Sequence, residues 1–306
     1  MADRAQIAGI DIGGTKIAAI LTTGDGSVTA RGVASTPARA GGDAIVDAAA
    51  RLVAELSRVH DVRVAAAGVG TAGVVDHSDG VVVAASQTFS GWAGYRLGDV
   101  LSTRLGVPVH VENDVNAFLV GESAWGASPA RDVLGVMLGT GVGGALLLDG
   151  VLRHGPHGGA GEIGHTPGYG DIRCTCGQTG HLETVASGTS IGLRYGERTG
   201  HVNIGAHEVA ERARSGDGDA RAVFDSAGRA LALACATAAG IVDVSVAVIG
   251  GGVTRSWDLL APAIERTLAT DSPVSGADLR IVRGTLGGSA VALGAAHSAR
   301  QAMSGR

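Results

Sequence analysis

Between Glu162 and Glu183 the chain reads E-I-G-H-T-P-G-Y-G-D-I-R-C-T-C-G-Q-T-G-H-L-E, which sets two carboxylates and four potential metal ligands in one segment. The four are His165, Cys174, Cys176 and His181, spaced H-x8-C-x-C-x4-H. Two thiolates and two imidazoles at that spacing suit a tetrahedral zinc ion. A closed four-ligand site holds a loop in shape and leaves no open position for a catalytic water. Two plainer readings stand beside it. The cysteines could be ordinary buried residues, or Cys174 and Cys176 could form a disulfide, for which one intervening residue is poor geometry. Two of the chain's three cysteines fall in this segment, and the run T-P-G-Y-G-D between ligands is turn-rich, as a loop needing a staple would be. Glu162 and Glu183 would be pinned by the metal, as parts of a pocket wall facing a polar, hydroxyl-rich molecule.

A second kind of chemistry sits in D-I-G-G-T-K, Asp11 to Lys16. Successive glycines can turn backbone N–H groups toward phosphate oxygens, and Thr15 adds a hydroxyl. Asp11, at the end of an apolar run, is placed to hold Mg²⁺ directly or through water, offsetting phosphate charge. The alternative is an ordinary glycine hairpin. Glu112-Asn113-Asp114 lies where a buried run gives way to a helical pattern. Asp114 could be a plain helix cap, or the carboxylate that orients an attacking hydroxyl and takes its proton, with Asn113 on a neighbouring hydroxyl.

The elements that must carry these residues follow from periodicity and punctuation. Short apolar runs bounded by glycine predict strands at 6–11, 16–22, 28–36, 62–69 and 107–111. Helical spacing predicts helices at 43–59, 96–105 and 113–125. A second strand–glycine turn–strand unit follows: a strand at 133–138, a turn at 139–144, and a strand at 145–148, echoing residues 9–21 in plan. Beyond the ligand segment, helices are expected at 207–215, 220–242, 257–270 and 289–302, with strands at 244–249 and 279–282. Hairpin meanders alternating with helices indicate an α/β chain with mixed sheets in two related halves. Gly68 to Gly73 and Gly139 to Gly144 both match G-x-G-x-x-G. Each leads into a strand rather than a helix, so a dinucleotide fold is rejected.

Composition narrows the class. A chain of 306 residues exceeds the usual size of one domain, so two domains are expected. The net charge of −5 favours neither nucleic acid nor an anionic membrane as a partner. Few cysteines and an N-terminus, M-A-D-R-A-Q, without an apolar core suit a cytoplasmic protein. The apolar stretch 231–253 is broken by Asp243 and Gly250-Gly251-Gly252, and reads as a buried helix and strand rather than a membrane span.

Taken together, D-I-G-G-T-K (11–16), E-N-D-V-N-A (112–117), L-G-T-G-V-G-G (138–144), H-G-P-H-G-G-A-G-E-I-G-H (154–165), C-T-C-G-Q-T-G-H-L-E (174–183) and I-G-G-G-V (249–253) resemble the ROK family of bacterial sugar kinases and sugar-responsive repressors. The resemblance implies the actin-like (ribonuclease H-like) ATPase fold, with two related domains of mixed sheets flanked by helices. The smaller would span 1–120, completed by a C-terminal helix at about 289–306; the larger would span 121–288 and carry the zinc-bound loop. It implies ATP-dependent transfer to the C6 hydroxyl of a hexose or N-acylhexosamine, with glucose, N-acetylglucosamine and N-acetylmannosamine as leading acceptors. Asp114 would be the base. Asn113, Glu162, His165 and Glu183 would bind sugar hydroxyls, His165 also ligating zinc through its other ring nitrogen. Asp11, Gly13, Gly14, Thr15, Lys16, Thr140 and Gly141 would surround the nucleotide's phosphates and Mg²⁺, and Gly251 and Gly252 the adenosine. A homodimer or homotetramer is the implied assembly.

Two departures from the family pattern stand out. Its zinc loop usually reads C-x-C-G-x-x-G-C-x-E, whereas His181 replaces the third cysteine here, which predicts a structural zinc held by two histidines and two cysteines. The segment A-A-S-Q-T-F-S-G-W, 84–92, has Thr88 where many family glucokinases carry asparagine, which leaves the acceptor sugar open. The phosphoryl donor, ATP or polyphosphate, is also open. Family repressors place a helix-turn-helix module ahead of the glycine turn. Here that turn begins at residue 11, which favours a kinase over a transcriptional regulator, while Asp11, Asp114 and Thr140 argue against a non-catalytic sugar-binding protein.

Overall fold

A computed structural model describes residues 5–86, 88–274, 276 and 278–305. Residues 1–4, on which part of the N-terminal reading falls, lie outside the described residues, as do Gln87 in the 84–92 segment and Arg306 at the end of the C-terminal helical segment. The chain forms two compact units. Unit 1 comprises residues 1–129, 154–159 and 286–306, and unit 2 residues 130–153 and 160–285.

In unit 1, β1 (Ala5–Ile12), β2 (Lys16–Thr22) and β3 (Val28–Ser35) form an antiparallel meander. α1 (Gly42–His60) leads to β4 (Arg63–Thr71), which returns parallel to β1. A small hairpin follows, β5 (Val74–Asp76) and β6 (Val81–Ala84). After α2 (Leu97–Leu105), β7 (Val109–Asn113) lies parallel to β4 and runs directly into α3 (Asp114–Trp125). The sheet order is β3-β2-β1-β4-β7.

The central strands β1 and β4 are apolar on both faces because both faces are covered. Ile45, Leu52, Leu97 and Leu101 pack with Ile10, Ile12, Val69 and Val111 on one side. The C-terminal helix, Ala290–Met303, sets Ala296 and Ala299 against Ile7 and Ala66 on the other. Each large apolar side chain sealed in this way contributes about 1.5–3 kcal/mol.

Unit 2 repeats the plan. β8 (Val133–Leu138), β9 (Val142–Leu148) and β10 (Val151–Leu152) form the meander. The short α4 (Glu183–Ala186), then α5 (Gly188–Thr199), α6 (Ala206–Arg214) and α7 (Gly218–Val242), precede β11 (Val246–Gly250), which is parallel to β8. α8 (Trp257–Leu268) connects β11 to its parallel neighbour β12 (Arg280–Arg283). The order β10-β9-β8-β11-β12 reproduces that of unit 1, strand for strand. α7 is long and apolar enough to cross a membrane by length and composition, but Phe224, Leu231 and Cys235 on it lie inside the core of unit 2.

Two local expectations are corrected. The glycine run 139–144 is not all turn: β9 starts at Val142, so only Gly139, Thr140 and Gly141 connect the strands. Gly144 lies within the strand because the Gly161 backbone crosses it too closely for any side chain. Helix α5 was not foreseen. Its glycines at 188, 192 and 196 each cost about 1 kcal/mol of helix propensity relative to alanine, yet the chain needs them small, since the carbonyls of Ile204 and His201 press against the last two.

Candidate active site and metal centre

In unit 1 the site residues gather at the carboxyl ends of the parallel strands, where α/β sheets generally bind ligands. The register sets Asp11 beside Gly70, Ile12 beside Thr71, and Thr71 beside Asn113. The hairpin loop after β1 is closed by the Gly13 N–H donating to the Lys16 carbonyl at 3.0 Å. Thr36, just past β3, donates its hydroxyl to the Gly13 carbonyl at 2.7 Å and its N–H to the Thr15 carbonyl at 3.1 Å. Two carbonyl oxygens that would repel a phosphate are thereby engaged. Nothing in the residue types marked Thr36 for this part. Gly14 packs against the Thr88 methyl group, which brings the 84–92 segment to the glycine loop.

Burial and a neighbouring charge displace the Asp11 carboxyl strongly, raising it from 3.8 to about 7. Burial is the main cause, the Asp114 carboxylate adds to it, and Lys16 opposes. Two carboxylates that resist sharing negative charge are a fitting place for a divalent cation.

Asn113 is the cap of α3. Its Oδ1 accepts from the N–H groups of Val115 at 2.8 Å and Asn116 at 3.1 Å, and its Nδ2 donates to the Gly73 carbonyl at 3.0 Å and to Asp114 Oδ1 at 3.1 Å. Both ends of the amide are thus engaged within unit 1, so a sugar hydroxyl would have to exchange with one of these bonds. Asp114 is the first residue of α3, its Oδ1 also accepting the Val115 N–H at 3.0 Å.

Preceding them, Glu112 is sealed at 2% exposure. Its Oε1 accepts the Asn113 N–H at 3.0 Å and the Asn116 side-chain amide at 2.9 Å, and its Oε2 faces His154 Nε2 at 2.8 Å. Burial pulls its pKa upward, but the bonds from His154, Asn116 and the Asn113 N–H outweigh it and hold the carboxyl below the usual range.

In unit 2 the four predicted ligands do converge. All four ligand atoms lie within 4.8 Å of one another. Nδ1 of His165 and Nδ1 of His181 are 3.3 Å apart, Cys174 Sγ is 3.7 Å from the first, and Cys176 Sγ is 3.3 Å from the second. A tetrahedral ion with bonds of about 2.3 Å to sulfur and about 2.05 Å to nitrogen spaces its donors about 3.4–3.8 Å apart; the donor set fits zinc in number and chemistry, and the pairs at 3.3–3.7 Å are already near that spacing. Both histidines face the cluster with Nδ1, which leaves Nε2 of His165 for another partner. No disulfide joins the cysteines. The segment is a small ladder, with Pro167 bridged to His181 and Arg173 to Thr179, closed by the Cys174 N–H donating to the Gln178 carbonyl at 2.7 Å.

Glu162 begins the single turn Ile163–His165. The residue is exposed as a whole, but partial enclosure of its carboxyl raises its pKa, with His165 opposing and Glu183 adding. Glu183, at the start of α4, accepts the Val142 N–H on Oε2 at 2.9 Å and the Thr175 hydroxyl on Oε1 at 2.8 Å. Thr140 and Gly141 form the β8–β9 turn, tied to the start of α5 by the Gly188 N–H on the Gly139 carbonyl and the Thr189 hydroxyl on the Thr140 carbonyl, both 2.8 Å. Gly251, following β11, sits against the Leu138 backbone at the mouth of that turn, with Gly252 beside it. In unit 1, then, Asp11, Gly13, Gly14, Thr15, Lys16, Asn113 and Asp114 come together. In unit 2, Thr140, Gly141, Gly251 and Gly252 form one group, joined through Glu183 to the metal cluster.

The chain belongs to the ROK family, which it matches over residues 7–302. A glucokinase of Thermotoga maritima is 32% identical over 98% of the chain and 99% of its own length. An N-acetylmannosamine kinase of Escherichia coli is 34% identical over 88% of the chain and 90% of its own length. A ROK family glucokinase from Streptomyces griseus, solved in complex with glucose and AMPPNP, superposes with a TM-score of 0.85 at 33% identity, covering 97% of the chain and all of that one. With the repeated strand order, these neighbours give the fold as the actin-like (ribonuclease H-like) ATPase fold.

Proposed function

We propose that this chain is an ATP-dependent sugar kinase that transfers the γ-phosphoryl group to the C6 hydroxyl of a hexose or N-acylhexosamine. The observation that carries the reading is Asp114 at the head of α3, held by the Asn113 cap, with Asp11 close enough for each carboxylate to feel the other. Relatives named as glucokinase and N-acetylmannosamine kinase along nearly the whole chain support the substrate class.

In this reading Asp114 accepts the proton of the sugar hydroxyl as its oxygen bonds to the γ-phosphorus, and the bond from that phosphorus to the bridging oxygen breaks, with ADP leaving. Asp11 would hold Mg²⁺, which offsets phosphate charge when bound. Gly13, Gly14, Thr15, Lys16, Thr140 and Gly141 cradle phosphates through backbone and hydroxyl donors, and Gly251 and Gly252 flank the adenosine. Glu162, His165 Nε2, Glu183 and Asn113 bind sugar hydroxyls. Zinc held by His165, Cys174, Cys176 and His181 fixes the shape of that wall and takes no part in the bond changes. We assign the working protein to the cytoplasm, as a homodimer or homotetramer, with neither nucleic acid nor membrane as a partner, in keeping with its net charge of −5.

The test is an ADP-release assay over glucose, mannose, N-acetylglucosamine and N-acetylmannosamine, with ATP and polyphosphate compared as donors by sugar-phosphate detection. Turnover with one of these sugars and ATP is expected. Sugar binding without turnover would make the chain a silent sugar-binding protein, and the proposed reaction would be wrong.

A further inference from the structure

We infer that His154 is a positioning residue for the Asn113–Asp114 turn, acting through the buried Glu112 carboxylate; the inference rests on the kinase reading above for its effect on turnover. Glu112 is the last residue but one of β7, and at 2% exposure its oxygens depend almost wholly on donors from the protein. A buried carboxylate is tolerated only when its lone pairs are met by donors. Oε1 spends its capacity on the very turn that matters, binding the Asn113 N–H and the Asn116 amide. Oε2 is met by His154 Nε2 at 2.8 Å, which therefore carries the hydrogen, while His110 Nε2 stands off at 4.0 Å. His154 lies 42 residues away in sequence and returns to unit 1 in the short segment 154–159.

The imidazole is itself held in place. The His77 ring stacks on it, with centroids 3.7 Å apart and planes 8° from parallel. His77 sits in the turn of the β5–β6 hairpin, and the residue just before β5, Gly73, supplies the carbonyl that binds the Asn113 side chain. One hairpin thus clamps Asn113 directly and His154 by stacking, and His154 clamps Asn113 from the other side through Glu112. Asn113 in turn donates to Asp114 and caps its helix. Take away the His154 donor and Oε2 must find another partner. The carboxylate then turns, and its grip on the Asn113 N–H loosens.

The test compares His154→Leu with His154→Gln, whose side-chain amide reaches the place of Nε2, in steady-state kinetics and in hydrogen exchange of the peptide spanning residues 112–116. The expected result for His154→Leu is a kcat lowered about 10- to 100-fold, the loss that a small misplacement of a reacting group brings. Its KM values for sugar and ATP should move less than about three-fold, since the lost interaction serves the transition state. The peptide should exchange faster in His154→Leu and as in the wild type in His154→Gln, which should also recover most of kcat. If leucine prevents folding, His154→Asn, too short to reach Glu112, takes its place. An unchanged kcat or an unchanged exchange rate in the donor-less variant overturns the inference. If the wild-type chain phosphorylates no sugar, the kinase reading fails, and the exchange comparison alone decides the role of His154.

Discussion

Glu183 and Val142 are joined by a 2.9 Å hydrogen bond from the backbone N–H at the start of β9 to the carboxylate that heads α4. The other oxygen of the same carboxylate accepts the Thr175 hydroxyl at 2.8 Å, and Thr175 lies between the two cysteine ligands. One side chain therefore ties the metal loop to the glycine turn proposed to hold phosphate. Glu183→Gln keeps the volume but loses the charge, and hydrogen bonds to charged groups are worth about 1.5–3 kcal/mol. Both the sugar KM and the ATP KM should rise, each about ten-fold or more on that scale. A change confined to the sugar KM would show that the bond to Val142 carries nothing. Gly141→Ala should mimic the effect on ATP, because its new methyl group would collide with the Glu183 carboxylate.

Removing the base is a sharper test. Asp114→Ala should lower kcat by about 10²–10⁴, the usual contribution of a positioned proton acceptor. Sugar binding by calorimetry should change only a few-fold, roughly, because the hydroxyl-binding groups remain. Asp114→Asn keeps an acceptor for the Val115 N–H and should retain the fold while losing turnover alike. Normal turnover in either variant would remove Asp114 from the mechanism.

The metal can be counted. Protein purified without chelator should contain about one zinc per chain, and Cys176→Ser should reduce both the zinc content and the affinity for sugar. His181→Cys, restoring the more usual ligand of this family, should keep the metal. Zinc lost with an unaltered sugar KM would detach the loop from the pocket.

Stability should carry the mark of Asp11. Its carboxyl titrates at about 7 in the folded chain against 3.8 as the ordinary value. The folded state thus binds this proton more tightly than the unfolded state, and stability from this group is full below the ordinary value. It is lost as pH rises through the folded value. Without Mg²⁺ or nucleotide, the melting temperature should fall between about pH 4 and about pH 8 by an amount that Asp11→Asn abolishes. Equal slopes in wild type and variant would show that Asp11 is not displaced.

Most of the scaffold is legible because its signals are local. Runs such as those before Gly13 and Gly139 announce strands by composition and end at glycine, and α1 announces itself by the spacing of Ile45, Ala49, Leu52 and Leu56. The zinc ligands are legible because their chemistry is rare in the chain. What stays hidden is non-local or backbone-borne. No residue type signals that Glu183 accepts a backbone N–H from 41 positions away, or that Glu112 takes its donor from His154. α5 is hidden for the opposite reason: its glycines speak against a helix locally, and only packing overrules them. Its Ser187 cap, accepting the Ser190 N–H at 3.0 Å, was the one signal available.

The last helix belongs to the first unit, and this orders events on the ribosome. The β1–β4–β7 sheet is complete once Asn113 has been made, but the helix that covers one of its faces ends at Met303. Through the synthesis of all of unit 2, that apolar face waits without its lid, while residues 130–153 and 160–285 can close their own core first. Nascent chains truncated ahead of residue 286 should therefore show a protease-resistant second half and a soft, chaperone-binding first half.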